Sequence, residues 1–192
     1  GQYTTLTSPD KAVVEKSIWD LQYQTAVLDC MRLDSTNKII LHIGGKYGDK
    51  QESMDRFIKE YKKLPKNIRN RLVIENDDTN YTAKDVLYIS KKTDIPVLFD
   101  YFHHLLNHEG ELNTEEIIKE CGKTWKKDRD GIQKIHYSQQ ATAKRHGSHS
   151  ITISIPEFTE FYKALPPNID VMLEVKDKDI SALKCIQAIN LN

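Results

Sequence analysis

The sequence has 192 residues, 39% hydrophobic and 29% charged, a balance ordinary for one soluble globular domain with a real core. Its 28 Lys and Arg equal its 28 Asp and Glu, which excludes a globally basic nucleic-acid clamp and leaves phosphate binding to local patches or metal ions. No apolar run approaches the roughly 18 residues of a membrane span. Cys30, Cys121 and Cys185 lie far apart and outside any CxxC, so they are expected to be reduced thiols of a cytoplasmic protein rather than zinc ligands.

The chain opens GQYTTLTSPD, with no initiator Met and none of the charged and apolar regions of a secretory signal. Residue 1 is therefore expected to be a cut edge, with GQYT as a possible strand end. Val14, Ile18, Leu21 and Leu28 then carry helical spacing. KIILHIGG (38–45) is a short apolar run and predicts a buried strand. Met54, Phe57, Ile58, Tyr61 and Leu64 form the next helical stripe. RLVIEND (71–77), PVLFDYF (96–102), IQKIHYS (132–138) and DVMLEVK (170–176) predict four more strands. Helix starts are marked at Thr82 with Asp85, Asn113 with Glu116, and Ser154 with Glu157. Strand starts fall 25 to 38 residues apart, the length of one βα unit. The pattern predicts a single α/β domain over 1–192, with parallel strands covered by helices. An open doubly wound sheet and an arc of a (β/α)8 barrel both fit. Five to six strands in a barrel context would make this a partial TIM barrel lacking its N-terminal strands.

The seven histidines, 42, 103, 104, 108, 136, 146 and 149, all fall in a predicted strand or just after one, none in a predicted helix. Glu75, Asp100 and Glu174 behave alike. Carboxyl ends of strands form the ligand-binding face of both architectures. Strand alternation aims His42, Glu75, His136 and Glu174 inward, each late in its strand, with Asp100 at a strand end and His103 in the loop beyond. Taken singly, each could be a hydrogen-bonded strand-end residue. Together, converging carboxylates without counter-charge are costly in a low-dielectric interior, and divalent cations relieve that cost. The donors outnumber what one tetrahedral ion needs, so more than one ion is expected. Lys134 shares the inward face with His136. Beside cations it must be neutral, turned away, chemically modified, or reaching a phosphate or carboxylate.

GQYTTLTSP, LHIGGKYGDK, RLVIENDD, PVLFDYFHHLLN, KIHYS and MLEVKDK together resemble the UV damage endonucleases, over residues 1 to about 178. ENDD followed by FDYFHHLLN is the specific part. The resemblance implies a (β/α)8 DNA repair endonuclease that hydrolyses the phosphodiester 5′ to UV photoproducts and other lesions. It implies up to three divalent ions, Mn2+ first, with Zn2+ or Mg2+ as alternatives. Glu75 would bridge two ions, Asp100, His136 and Glu174 would complete the second, His103 and His149 would serve the third, and His42 the first. His146 is a local alternative to His149. Lys134 matches a lysine that can be carboxylated, and with Glu75 it makes the implied catalytic pair. Gln2 and Tyr3 match a pair that probes the DNA helix. Lys144 and Arg145, with Lys126, Lys127 and Arg129, are candidate phosphate contacts on the site face, though for 126–129 a solvated charge run is the preferred reading. Damaged double-stranded DNA is the implied partner, with no membrane. In the family a ligand histidine immediately precedes this glycine and another lies upstream, so the first ion is expected to keep only His42 and Glu75. The intact family member would be monomeric, while open sheet edges could drive this chain to self-associate. Two other readings remain: a metal-dependent sugar isomerase on a similar barrel, and a non-catalytic metal- or DNA-binding fragment.

Overall fold

The computed structural model describes residues 4–110 and 113–190. Helix α1 (Lys11–Cys30) starts where the Asp10 carboxylate accepts the Ala12 N–H at 2.8 Å. Its buried positions are Val14, Ser17, Leu21 and Thr25. Ile18 and Leu28 are only half-buried; the inward stripe passes through the two hydroxyl residues instead. Ser17 fits there because it is bonded on both sides, donating to Val13 O at 2.9 Å and accepting the Thr5 N–H at 2.9 Å, whereas the Thr25 hydroxyl is buried without a hydrogen-bond partner.

Strand β1 (Ile39–His42) leads through a glycine-rich turn to α2 (Lys50–Lys63), which buries Met54, Phe57 and Tyr61. A short α3 (Lys66–Arg71) runs directly into β2 (Leu72–Glu75). Helix α4 (Ala83–Thr93) opens with the predicted capping box between Thr82 and Asp85, and β3 (Val97–Asp100) follows. Next come α5 (Tyr101–Leu106), α6 (Thr114–Gly122), α7 (Lys127–Asp130) and β4 (Gln133–Tyr137). The chain ends in α8 (Ile155–Lys163), β5 (Ile169–Leu173) and α9 (Asp179–Asn190).

Several sequence expectations are corrected at element ends. His103 and His104 lie inside α5, a helix too short to show a period. Asn113 caps α6 by accepting from Glu115 N, not Glu116 N. Ser154 makes no side-chain cap, and its N–H, which Glu157 would accept in a capping box, instead donates to Gln139 Oε1 at 2.7 Å. Glu174 lies one residue past β5. Of GQYT, only Thr4 is described, and it is not in a strand.

The five strands are all parallel and stand side by side in the order β1-β2-β3-β4-β5. This order decides between the two architectures. A doubly wound sheet reverses direction at a switch point, whereas a barrel adds each strand on the same side of the last. The fold is a TIM-barrel-like arc. β2 and β3 are buried at every position, as their unbroken apolar runs require. Leu41, Ile74, Phe99 and Ile135 pack with Phe57 and Ile89 in the layer between sheet and helices. A second cluster forms around Tyr137, Phe158 and Cys185 under α8 and α9. All three cysteines are free. No helix among the described residues is long and apolar enough to cross a membrane.

A knot of charge closes the amino-terminal ends of the strands. Lys38 Nζ lies 2.6 Å from Asp130 Oδ1, with side chains 2% and 0% exposed. Arg129 Nε adds a 2.8 Å contact to Asp130, and Lys38 also donates to Asn70 O at 2.6 Å. Arg129 Nη1 and Lys126 Nζ both pair with Asp94. Lys126, Lys127 and Arg129 therefore sit at the end opposite the strand carboxyl termini, because they precede β4. The expectation of phosphate contacts on the site face does not hold for them.

Candidate metal centre

At the other end, β2 and β3 finish on Glu75 and Asp100, and β4 carries His136 one residue before its last. His42 pairs with Glu75 across β1 and β2, and Asp100 pairs with His136 across β3 and β4. Glu75, Asp100 and His136 are buried, and one donor atom from each lies within 4.8 Å of the other two.

Glu75 is the hub. Its Oε1 lies 2.6 Å from His136 Nδ1, and its Oε2 lies 3.3 Å from His42 Nε2. His136 Nδ1 is also 3.2 Å from Glu174 Oε1 and 3.8 Å from Asp100 Oδ2. These are ion-pair distances without hydrogen-bond alignment. Glu75 Oε1, Asp100 Oδ2 and both nitrogens of His136 are buried with no hydrogen-bond partner. Buried polar atoms are almost always bonded in native proteins. One orphaned atom from each of Glu75, Asp100 and His136 faces the same space, and two carboxylates with an imidazole are a donor set for a divalent ion.

The electrostatics carry the same strain. Burial pushes the Asp100 carboxyl up to about 6, aided by the Glu75 charge and opposed by the His103 and His136 imidazoles. Burial would also raise Glu75, but the neighbouring His136 imidazole outweighs it and holds the carboxyl below its usual range. For His136, burial favours the neutral ring, while the Glu75, Glu174 and Asp100 carboxylates together shift it upward.

Local structure explains how these groups are held. Asp100 caps α5, its Oδ1 accepting the His103 N–H at 2.7 Å, which leaves Oδ2 to the centre. The backbone ladder between β2 and β3 ends at Glu75 and Leu98. Beyond it, the Asn76 side chain replaces a rung: Oδ1 accepts the Asp100 N–H and Nδ2 donates to Asp100 O, both at 2.9 Å. Asn76 O faces His103 Nδ1 at 3.0 Å, so that nitrogen carries the proton and Nε2 is free to ligate. The next residue, Asp77, gathers the N–H groups of Thr79, Asn80 and Tyr81 on one oxygen and fixes the loop. Sequence reasoning quoted ENDD but gave roles only to Glu75. The missed signal was an amide at a buried position directly after a strand.

The remaining predicted residues fall as follows. The His42 and His103 rings stand 5.8 Å apart, and those of His103 and His149 stand 6.3 Å apart. His149 Nδ1 is 3.0 Å from Glu174 O and 3.1 Å from Ser138 Oγ, again leaving Nε2 free. Thus His42, Glu75, Asp100, His103, His136, His149 and Glu174 share one rim. His146 is exposed and points toward a groove beside Tyr101 and Phe161. Lys134 is not within bonding reach of this group. Its Nζ sits 3.1 Å from Asp170 Oδ2, its register partner on β5, and 5.8 Å from the Trp125 ring centre. Of the options open to it, reaching a carboxylate is the one seen. Lys144 and Arg145 are exposed on the loop after β4, on the rim side. Gln2 and Tyr3 lie outside the described residues.

A parallel βα arc with carboxylate and imidazole donors at its strand carboxyl ends defines a TIM-barrel-like protein with a rim centre suited to divalent ions. Residues 1–192 match the family model of UV-endonuclease UvdE, and the chain belongs to that family. It is 48% identical to a UV DNA damage endonuclease of Clostridium perfringens, over 98% of this chain and 46% of that protein. A Bacillus pumilus UV DNA damage endonuclease is 33% identical over 99% of this chain and 60% of that one. The crystal structure of SacUVDE superposes with a TM-score of 0.93 at 41% identity, over 99% of this chain and 63% of that chain. A D-psicose 3-epimerase from Clostridium cellulolyticum H10, solved with D-tagatose, matches at TM-score 0.61 and 13% identity, a likeness of fold alone. The chain spans about half the length of the curated relatives it matches.

Proposed function

We propose that this chain carries the ion-holding rim of a DNA repair endonuclease that hydrolyses the phosphodiester 5′ to UV photoproducts and other lesions. The observation that carries the reading is Glu75, with one oxygen toward His136 and the other toward His42, surrounded by orphaned buried donors. Glu75 would bridge two divalent ions. Asp100, His136 and Glu174 would hold one of them, His42 the other, and His103 with His149 a third. Mn2+ is the leading candidate, with Zn2+ or Mg2+ as alternatives. Divalent ions in such a centre supply Lewis-acid charge to a phosphate and lower the pKa of nearby water.

The chain's own groups do the rest. Asn76 and the α5 cap hold Asp100 and His103 at fixed height. Lys134, whether as ammonium or carboxylated, would set charge below His136. Lys144 and Arg145 would meet phosphates, and Gln2 with Tyr3 would probe the helix at the lesion, where stacking is already weak. Water oxygen joins phosphorus, the bond to the 3′ oxygen breaks, and the proton ends on that oxygen. A cytoplasmic setting belongs to the same reading. The ketose-isomerase alternative has only a shared fold to support it.

The test is nicking of a duplex bearing one pyrimidine dimer, with Mn2+. Cleavage should occur 5′ to the dimer, stop with chelator and be lost in Glu75→Gln. A Glu75→Gln variant that nicks at the parental rate would overturn the assignment.

A further inference from the structure

The turn between β1 and α2 reads GGKYGD, and its aromatic residue has no part in the centre just described. Tyr47 is 40% exposed, yet its backbone is held from both sides. Its N–H donates to Ser53 Oγ at 3.1 Å, and its carbonyl accepts from Arg56 Nη2 at 3.1 Å. Arg56 is itself fixed by donating to Ser53 Oγ and Thr7 O, each at 2.8 Å. Two residues earlier in the turn, Tyr81 Oη donates to Gly45 O at 3.3 Å. Gly44 has φ +110° and lies so close to Thr5 and Thr7 that a Cβ there would collide with the Thr5 hydroxyl. The turn is a braced bracket.

The ring lies along Gly45, where a Cβ would come within 3.1 Å of its edge, so the missing side chain is what lets the ring lie there. With His42, His103, Asp78 and Asn80 it lines a cleft of about 500 Å³. An aromatic ring left in water on a braced turn, and set beside a polar cleft that ends at the ion-holding rim, suits a flat ligand with polar edges. The turn that carries it has little backbone entropy left to lose when the ring is covered.

We infer that Tyr47 is a stacking platform for an unpaired nucleobase, with exposed Lys46 beside it to meet the adjoining phosphate. This rests on the nuclease reading for the identity of the ligand. Stacking on an aromatic residue is independent of base sequence and is weakened when the ring is truncated.

Binding of a labelled dimer-bearing duplex and of an oligothymidylate is measured by fluorescence anisotropy across a salt series. Tyr47→Ala should weaken both roughly 5- to 100-fold, with the melting temperature and the salt slope unchanged. Tyr47→Phe and Tyr47→Trp should retain binding, and Lys46→Ala should reduce the salt slope by about 1. Parental affinity in Tyr47→Ala, or equal loss in Tyr47→Phe, overturns the platform. Oligothymidylate binding that depends on the ring, without nicking of any duplex, overturns the nuclease reading and supports the platform. Binding of neither probe by the parent overturns both.

Discussion

Replacing Asp100 by Asn should raise the stability of the metal-free protein and abolish most of its response to metal. Asp100 is fully buried, and its two oxygens have separate fates: Oδ1 caps α5, while Oδ2 has no partner. An Asn keeps the capping oxygen and removes the charge. The carboxyl is shifted from 3.8 to about 6, with burial as the largest cause. A shift of that size penalises the ionised form by up to about 3 kcal/mol. That figure is already net of the attraction to His103 and His136, and on a chain of this length it amounts to at most ~10 °C in Tm. The sign follows from linkage. The folded pKa lies above the unfolded value, so the native state holds its proton longer and stability falls as pH rises from about 4 to about 6. The advantage of Asn should therefore be complete above about pH 6 and vanish near pH 4. Metal at a hundredfold over its dissociation constant adds about 2.7 kcal/mol to the parent, and Asp100→Asn should lose most of that. Thermal melts at the two pH values, with chelator and with Mn2+, read all of these effects. A variant that melts lower than the parent in chelator at neutral pH, or keeps the full metal-induced rise, would refute the reasoning.

Other expectations concern the supports. Asp130→Ala strands the buried Lys38 ammonium and should cost about 3–5 kcal/mol in urea unfolding. Burial works to raise Asp130, but Arg129 and Lys38 hold its carboxyl below 3.8, so its contribution is intact above that value and lost as pH falls through the lower folded one. The acid arm of the pH–stability profile should accordingly flatten in the variant. Asn76→Leu removes two bonds to the Asp100 backbone and the setting of the strand ends; titration calorimetry should show metal affinity down about 10- to 100-fold. Thr82→Ala opens the capping box of α4 and should cost about 1 kcal/mol, with metal affinity unchanged.

The strands were readable because their apolar runs are short, unbroken and spaced by βα lengths. Strand alternation then placed His42, Glu75 and His136 on one face, where the structure has them. What the sequence withheld is long-range or too short to have a period. Nothing near Lys38 announces Asp130, which lies 92 positions away. A six-residue helix cannot display amphipathicity, so the pattern predicts a strand end and a loop where α5 stands. Ser17 and Thr25 interrupt the apolar stripe of α1, the Ser17 hydroxyl being bonded within the helix to Val13 O. Basic residues 126 to 129 precede β4, so the strand direction puts them at the base of the sheet, away from the rim where phosphate would bind. Asn76 was passed over since an amide following a strand usually means a turn, and here it substitutes for the strand itself.

The buried Lys38–Asp130 knot and the ion-holding rim occupy opposite ends of the same parallel strands. Changes at well-separated sites without shared partners combine nearly additively. The molecule thus has a foundation that can be reinforced while its mouth is rebuilt. Ligand swaps at the rim that weaken the chain can be offset by extra anchoring at the base, without either set of changes interfering with the other.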